Sequence, residues 1–231
     1  MLLKTSPKGD SRKWVAEGIG TALLLATVIG SGIMGERLAG GNTAIALLAN
    51  TLATGAILVA LILAFGSISG AHFNPAVTIV DAFVGNMQWR KVPGYVFAQG
   101  TGAFLGVAIA NKMFGFPLFF ASQHVRSGGS QLFSEFVATF GLVSVIWGCS
   151  RRRPTMTPFA VGAYITAAYW FTASTSFANP AVTLARSASD TFAGIRFFDV
   201  PGFVIVQLAG ALTATLLFKW LVPLSLEKNH D

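Results

Sequence analysis

The stretch "STSFANPAVTLARS", residues 174–187, decides the fold, because its five central letters already occur at residues 74–78 within "SISGAHFNPAVTIVDAF", residues 67–83. Asn followed by Pro is a helix start. Asn accepts hydrogen bonds from the first free backbone N–H groups, and Pro takes the first helical position, where the N–H it lacks would have had no partner. Each box is followed by only about ten mostly apolar residues, "AVTIVDAFVG" and "AVTLARSASD", enough for half a bilayer at about 1.5 Å per residue. The residues before the boxes, "GSISGAHF" and "STSFA", are small or polar. They suit irregular backbone, which is tolerated at membrane depth only where protein buries it or it lines a watery cavity.

The rest of the chain supplies the membrane. Its 231 residues are 53% apolar and only 11% Asp, Glu, Lys and Arg, against about 25% charged residues in soluble domains. Windows of about 20 apolar residues cross a hydrocarbon core, and six qualify: approximately 14–34, 44–66, 93–114, 132–149, 158–175 and 201–222. The net charge of +7 lies in the segments between these windows; it does not form the basic and aromatic stripe that nucleic acid requires. With a cytoplasmic N-terminus, the inner side holds Lys4, Lys8, Arg12, Lys13, Arg90, Lys91, Arg151, Arg152, Arg153, Lys219 and Lys228. The outer side keeps Arg37, Lys112, Arg126, Arg186 and Arg196. This excess of inner cations predicts that both termini are cytoplasmic. No apolar core precedes Trp14, so the first window reads as a retained anchor and not as a cleaved signal. The single cysteine, Cys149, excludes an intrachain disulfide and reads as a small buried apolar side chain. His72, His124 and His230 are scattered without ligand spacing. Neither a metal nor a cofactor is expected.

The repeat extends beyond the pentapeptide. Glu17 and Thr21 in "AEGIGT" match Glu135 and Thr139 in "SEFVAT", near the start of the first and fourth spans; Gln99 in "AQGTGA" matches Gln207 in "VQLAGA", in the third and sixth. Each half, about 12–115 and 130–222, therefore carries three spans and one box within a single domain over 1–231. Three is odd, so the second half enters the membrane upside down relative to the first. The fold class that follows is an all-α integral membrane protein of six transmembrane helices plus two re-entrant half-helices. Inversion points the N-termini of the half-helices at one another near the midplane. Their positive dipole ends disfavour cations, while the amides of Asn74 and Asn179 can donate to the oxygen of a neutral solute.

Two boxes Asn74-Pro75-Ala76 and Asn179-Pro180-Ala181, the paired Glu-x-x-x-Thr and the paired Gln-x-x-Gly-Ala closely resemble the aquaporin and aquaglyceroporin (major intrinsic protein) family, over about residues 12–222. The resemblance implies a pore through each protomer, a homotetramer, and passive conduction of water or small uncharged solutes. It also implies an outer filter, which by offset from the boxes consists of Thr54, Ala167, Ser176 and Val182. Family members usually carry arginine where this chain has Val182. Water-selective relatives commonly combine a bulky aromatic, His, a small residue and Arg, whereas Thr, Ala, Ser and Val are all small and uncharged, so a wide outer constriction is expected. Val77, the matching residue of the first box, reads as a lipid-tolerant helix residue.

A wide neutral filter resembles the solute-conducting branch, whose substrates are linear polyols such as glycerol, urea, and trihydroxy metalloid acids such as arsenite and antimonite. Some bacterial members tied to arsenical handling also carry valine in place of the arginine. Thr183 stands where glycerol facilitators often have aspartate, which weakens glycerol as the dedicated substrate. Arg186, four residues after Val182, has two readings: a displaced charge at the outer vestibule, or a helix-end cation paired with Asp190 and reaching toward headgroups. Asp81 and His72 belong at the cytoplasmic pore mouth, too far from Arg186 to pair with it. Glu17 and Glu135 suggest ion work by default. In the resembled family such glutamates instead accept hydrogen bonds from the irregular segments.

Other classes make different demands. A coupled transporter needs a coupling-ion site, and a junction-type structural protein of the same fold would show little flux. An enzyme needs a nucleophile and base constellation, which the sequence lacks. The partners expected are water, small neutral solutes and membrane lipid, without nucleic acid. A prokaryotic plasma membrane is the expected location.

Overall fold

Helix follows wherever the apolar windows run, and it breaks where small polar residues cluster. The computed structural model describes residues 7–222, so Lys4, Lys228 and His230 lie outside the described residues. In chain order the helices are α1 (Pro7–Leu38), α2 (Thr43–Ser69), the half-helix α3 (Pro75–Phe83), α4 (Val92–Met113), α5 (Gly129–Arg152), α6 (Thr157–Phe171), the half-helix α7 (Pro180–Arg186) and α8 (Val200–Leu221). No strand occurs among the described residues. The Asn42 side chain caps α2 by accepting from the backbone N–H groups of Ala44 and Ile45. Gly70 ends the helix at a φ of 94°, a left-handed conformation that favours glycine.

Five helices, α1, α2, α4, α5 and α8 with their short leading turns, are long and apolar enough to cross a bilayer. The fifth crossing corrects the sequence expectation. It was expected over 158–175, yet α6 stops at Phe171 after 15 residues. Thr172 folds its hydroxyl back onto the Ala168 carbonyl at 2.7 Å, and Thr175 and Ser176 adopt φ values of 61° and 49°, which no right-handed helix contains. Segment 172–179 continues as irregular backbone to Asn179, the N-cap of α7.

Lipid offers no hydrophobic drive between helices, so close backbone approach through small residues has to hold the bundle. The glycine of each Gln-x-x-Gly provides it. A Cβ at Gly102 of α4 would overlap the Gly18 carbonyl of α1, and one at Gly210 of α8 would stand 2.5 Å from the Phe136 carbonyl of α5. Gly55 of α2 and Gly162 of α6 face each other's carbonyl oxygens in the same way. The half-helices pack between α4 and α8 and touch one another. Phe97, Leu105, Phe133, Phe198 and Trp220 are exposed on the outside, the surface of an integral membrane protein. Cys149 is half-buried instead of buried.

Candidate functional site

The two boxes meet as a pair. The Asn74 Oδ1 accepts from the Ala76 N–H at 2.9 Å, and the Asn179 Oδ1 accepts from Ala181 at 3.0 Å and Val182 at 3.3 Å. Pro75 and Pro180 hold the first helical positions. The opposite end of each amide crosses to the other repeat. Asn74 Nδ2 donates to the Ala178 carbonyl and Asn179 Nδ2 to the Phe73 carbonyl, both at 2.8 Å. Each oxygen is thus tied to its own helix, and each NH₂ keeps a second hydrogen. The boxes consequently present N–H donors to the cavity, which suits a neutral oxygen and repels a cation.

Strained backbone positions the two asparagines. Ala71, Phe73, Ser176 and Ala178 have φ values of 49°, 48°, 49° and 48°, at matching places one and three residues before each asparagine. Each such residue costs about 1–2 kcal/mol, so something else must hold the segments. Glu17, fully buried, accepts from the Ser69 hydroxyl and the His72 N–H on one oxygen, and from the Phe73 N–H and Gln99 Nε2 on the other. Glu135 accepts from the Phe177 N–H, the Ala178 N–H and Gln207 Nε2. Gln99 and Gln207 also donate to the Thr78 and Thr183 hydroxyls, which in turn donate to the Asn74 and Asn179 carbonyls. Thr21 and Thr139 bond the carbonyl of the glutamate four residues earlier. Neither glutamate lines the cavity, so neither faces a permeating solute.

A cavity of about 290 Å³ runs past both asparagines, from Asp81 and Thr157 at one end to Arg186 at the other. Val77 and Val182 both line it, which corrects the reading of Val77 as a lipid-tolerant residue. At the Arg186 end Thr54, Ser176 and Val182 converge on this cavity, as their offsets predict. Ala167 does not. It is exposed on the outer side of α6, and the helix row Thr157, Val161, Ile165 and Tyr169 faces the cavity instead. The offset of twelve assumed regular geometry through 172–178, where the helix has already ended. Tyr169 lines the cavity there, with its hydroxyl 3.3 Å from the Thr54 hydroxyl. Ala167→Val is therefore expected to leave solute flux into proteoliposomes unchanged, whereas Tyr169→Ala raises it several-fold; equal effects of the two changes would return the filter position to 167.

Of the two readings of Arg186, one pairs it with Asp190, but the Asp190 Oδ1 accepts from the Gln123 N–H at 2.9 Å and the Ser122 hydroxyl at 3.5 Å. Arg186 is buried at 2% exposure and lines the cavity. Its Nε donates to the Ala193 carbonyl, and its guanidinium lies 3.3 Å from the Phe177 ring centroid. Sequence reasoning missed Arg126, whose Nε donates to the Gly194 carbonyl at 2.8 Å and whose Nη1 donates to the Ser174 carbonyl at 3.2 Å. It ties segment 116–128 to both the second irregular segment and the loop after α7. At the other mouth His72 Nδ1 lies 3.1 Å from the Thr78 hydroxyl and His72 Nε2 lies 3.7 Å from an Asp81 oxygen.

A helical membrane bundle in which two inverted half-helices meet head to head beside such a cavity is a channel. The chain belongs to the major intrinsic protein family, matching it over residues 4–176, a region that ends just short of the second box. It is 54% identical over 212 residues to Aquaglyceroporin AqpS of Rhizobium meliloti, covering 92% of this chain and 91% of that protein. It is 32% identical over 251 residues to Aquaglyceroporin-3 of Trypanosoma brucei brucei, covering 92% and 79%. The X-ray structure of the aquaglyceroporin from Plasmodium falciparum superposes with a TM-score of 0.73 at 23% identity, covering 93% of this chain and 98% of that one, a likeness of fold. The protein is a channel for water and small solutes and not an enzyme.

Proposed function

We propose that each protomer conducts small uncharged hydroxylated solutes passively, with glycerol-like polyols and trihydroxy metalloid acids such as arsenite and antimonite as the substrate class and water alongside. The protein acts as a homotetramer in a prokaryotic plasma membrane, with both termini cytoplasmic. The observation that carries this reading is the outer constriction, where the hydroxyls of Thr54, Tyr169 and Ser176 share the cavity wall with the apolar Val182. A solute with hydroxyls on one side and carbon or a metalloid centre on the other matches both surfaces, and the absence of a long cationic side chain at position 182 leaves room for it. A relative named an aquaglyceroporin, 54% identical over nearly the full chain, supports the same class. Passive flux is favoured over coupled transport because Glu17 and Glu135 are engaged by structural donors away from the cavity.

Stopped-flow light scattering on proteoliposomes tests this with water, glycerol and arsenite, for the native chain and for Val182→Arg. The native chain is expected to pass glycerol and arsenite. The arginine is expected to cut both by roughly tenfold or more, equivalent to about 1.4 kcal/mol or more of added barrier, while sparing water. Negligible solute flux in both proteins, with water moving in each, would instead make this a water channel with an unusual filter.

A further inference from the structure

A buried guanidinium is expensive, and in membrane proteins an embedded cation by default marks a solute path. Arg186 is 2% exposed, and no carboxylate forms an ion pair with it among the described residues. Its Nε is bound to the Ala193 carbonyl, and neither terminal nitrogen has an acceptor there. Packing alone does not explain this placement. The guanidinium turns back over Phe177, two residues before Asn179, as expected of a helical side chain that leans toward its own N-terminus. Arg186 and Val182, one helical turn apart on α7, line the same cavity.

A buried hydroxyl without a partner lines the same cavity. The Ser176 hydroxyl is 2% exposed, lines the cavity, and has no hydrogen-bond partner among the described residues. Buried polar atoms of folded proteins are overwhelmingly paired, and an exception calls for a function. A cationic N–H fork and a free hydroxyl in one cavity wall suit a solute oxygen that accepts from the first and bonds the second. The same fixed charge opposes a proton or metal cation at the constriction, where the surroundings screen it poorly.

Building on the reading of the chain as a solute channel, we propose that Arg186 is its relocated filter cation, bonding a solute's oxygen together with Ser176 and barring cations one helical turn outward of Val182. Arg126 contributes by position, since its guanidinium sits 4.9 Å from the same Phe177 ring while its nitrogens hold the backbone around it. The valine at position 182 therefore enlarges the constriction without removing its charge. This separates two tasks, size selection and charge exclusion, that a single arginine would combine.

Proton leak under a potassium diffusion potential, read by a pH-sensitive dye inside proteoliposomes, tests the proposal alongside osmotic water flux. Arg186→Met is expected to raise the leak roughly tenfold to a hundredfold, the scale of unit charges about 6 Å apart at an effective dielectric constant of about 20. Arg186→Lys keeps the charge and is expected to stay near the native leak. Placing Val182→Arg in the Arg186→Met background is expected to restore the barrier, which a merely structural role would not produce. If Arg186→Met does not fold, Arg186→Gln, which retains a donor for Ala193 without the charge, serves the same comparison. A native-like leak in a folded, water-conducting uncharged variant overturns the proposal, and so does a leak that Val182→Arg fails to restore. Should the native chain pass neither glycerol nor arsenite, the substrate reading falls while the leak comparison remains readable through water.

Discussion

Glu135→Leu is expected to leave no folded channel in detergent, and Glu17→Leu to do the same with a larger loss. The leucine removes three hydrogen-bond acceptances at Glu135 and strands the Phe177 and Ala178 N–H groups in a dry interior. Two unsatisfied buried donors alone cost about 2–6 kcal/mol, taking roughly 1–3 for each. Ser176 and Ala178 would then have to keep their left-handed backbone unaided. Glu17 gathers four donors, one more than Glu135, and two of them are likewise backbone N–H groups, which sets the order of the two losses. The glutamine variants are expected to be milder, since each keeps one carbonyl oxygen and turns its NH₂ toward a donor. Thermal unfolding and size-exclusion profiles of the purified variants measure this. A Glu135→Leu protein that elutes and melts as the native chain does would show that the irregular segments stand without the clamp.

That expectation gives the pore a mechanical account. The carboxylates lie behind the irregular segments and draw the N–H groups of residues 72, 73, 177 and 178 away from the cavity. The asparagine amides then lock against the opposite repeat, each through a carbonyl of the segment the other glutamate holds. A solute at the midplane meets donors fixed in direction by both halves of the chain. Fixed donors replace part of a neutral solute's hydration without having to reorganise, and they offer nothing to a cation.

How much of this could be read from the sequence depends on how local the signal was. The boxes announce themselves because a cap and a following proline act within one helical turn. The glutamate, threonine and glutamine pairs stood out because an inverted repeat writes each contact twice. Position 167 was misread because counting back from Asn179 crosses 172–178, where rise per residue is no longer helical. The spacing of four through Thr157, Val161, Ile165 and Tyr169 would have found the facing residue. The surroundings of Arg186 were not legible at all: Ala193 and Arg126 reach it through loops that carry no periodic pattern, so neither its burial nor the loss of Asp190 as a partner could be inferred from spacing.

Gly102→Leu is expected to abolish assembly of the bundle, while Gly100→Leu, two residues away on the same helix, leaves it intact. Both substitutions replace glycine in a helix and so gain up to about 1 kcal/mol of helix propensity; only their surroundings differ. A Cβ at Gly100 meets nothing within 4 Å, whereas one at Gly102 would overlap the Gly18 carbonyl. The obstruction is rigid backbone on a helix that cannot rotate away, because Glu17 one position earlier is bound to Phe73 and Gln99. Adding one methyl into a packed contact already costs typically about 1–3 kcal/mol, and leucine adds a branched chain beyond it. Pushing α4 away from α1 also draws Gln99 from Glu17 and Thr78, so a defect on the bundle's flank reaches the first box. The same reasoning applies to Gly210→Leu against the Phe136 carbonyl, with Gln207 as the bond lost. Comparable yield, elution and melting of Gly102→Leu and Gly100→Leu would refute the idea that close backbone crossing holds this fold. Loss at 102 and 210 with retention at 100 ties the paired Gln-x-x-Gly to one purpose: the glutamine reaches the glutamate clamp only because the glycine lets the helices touch.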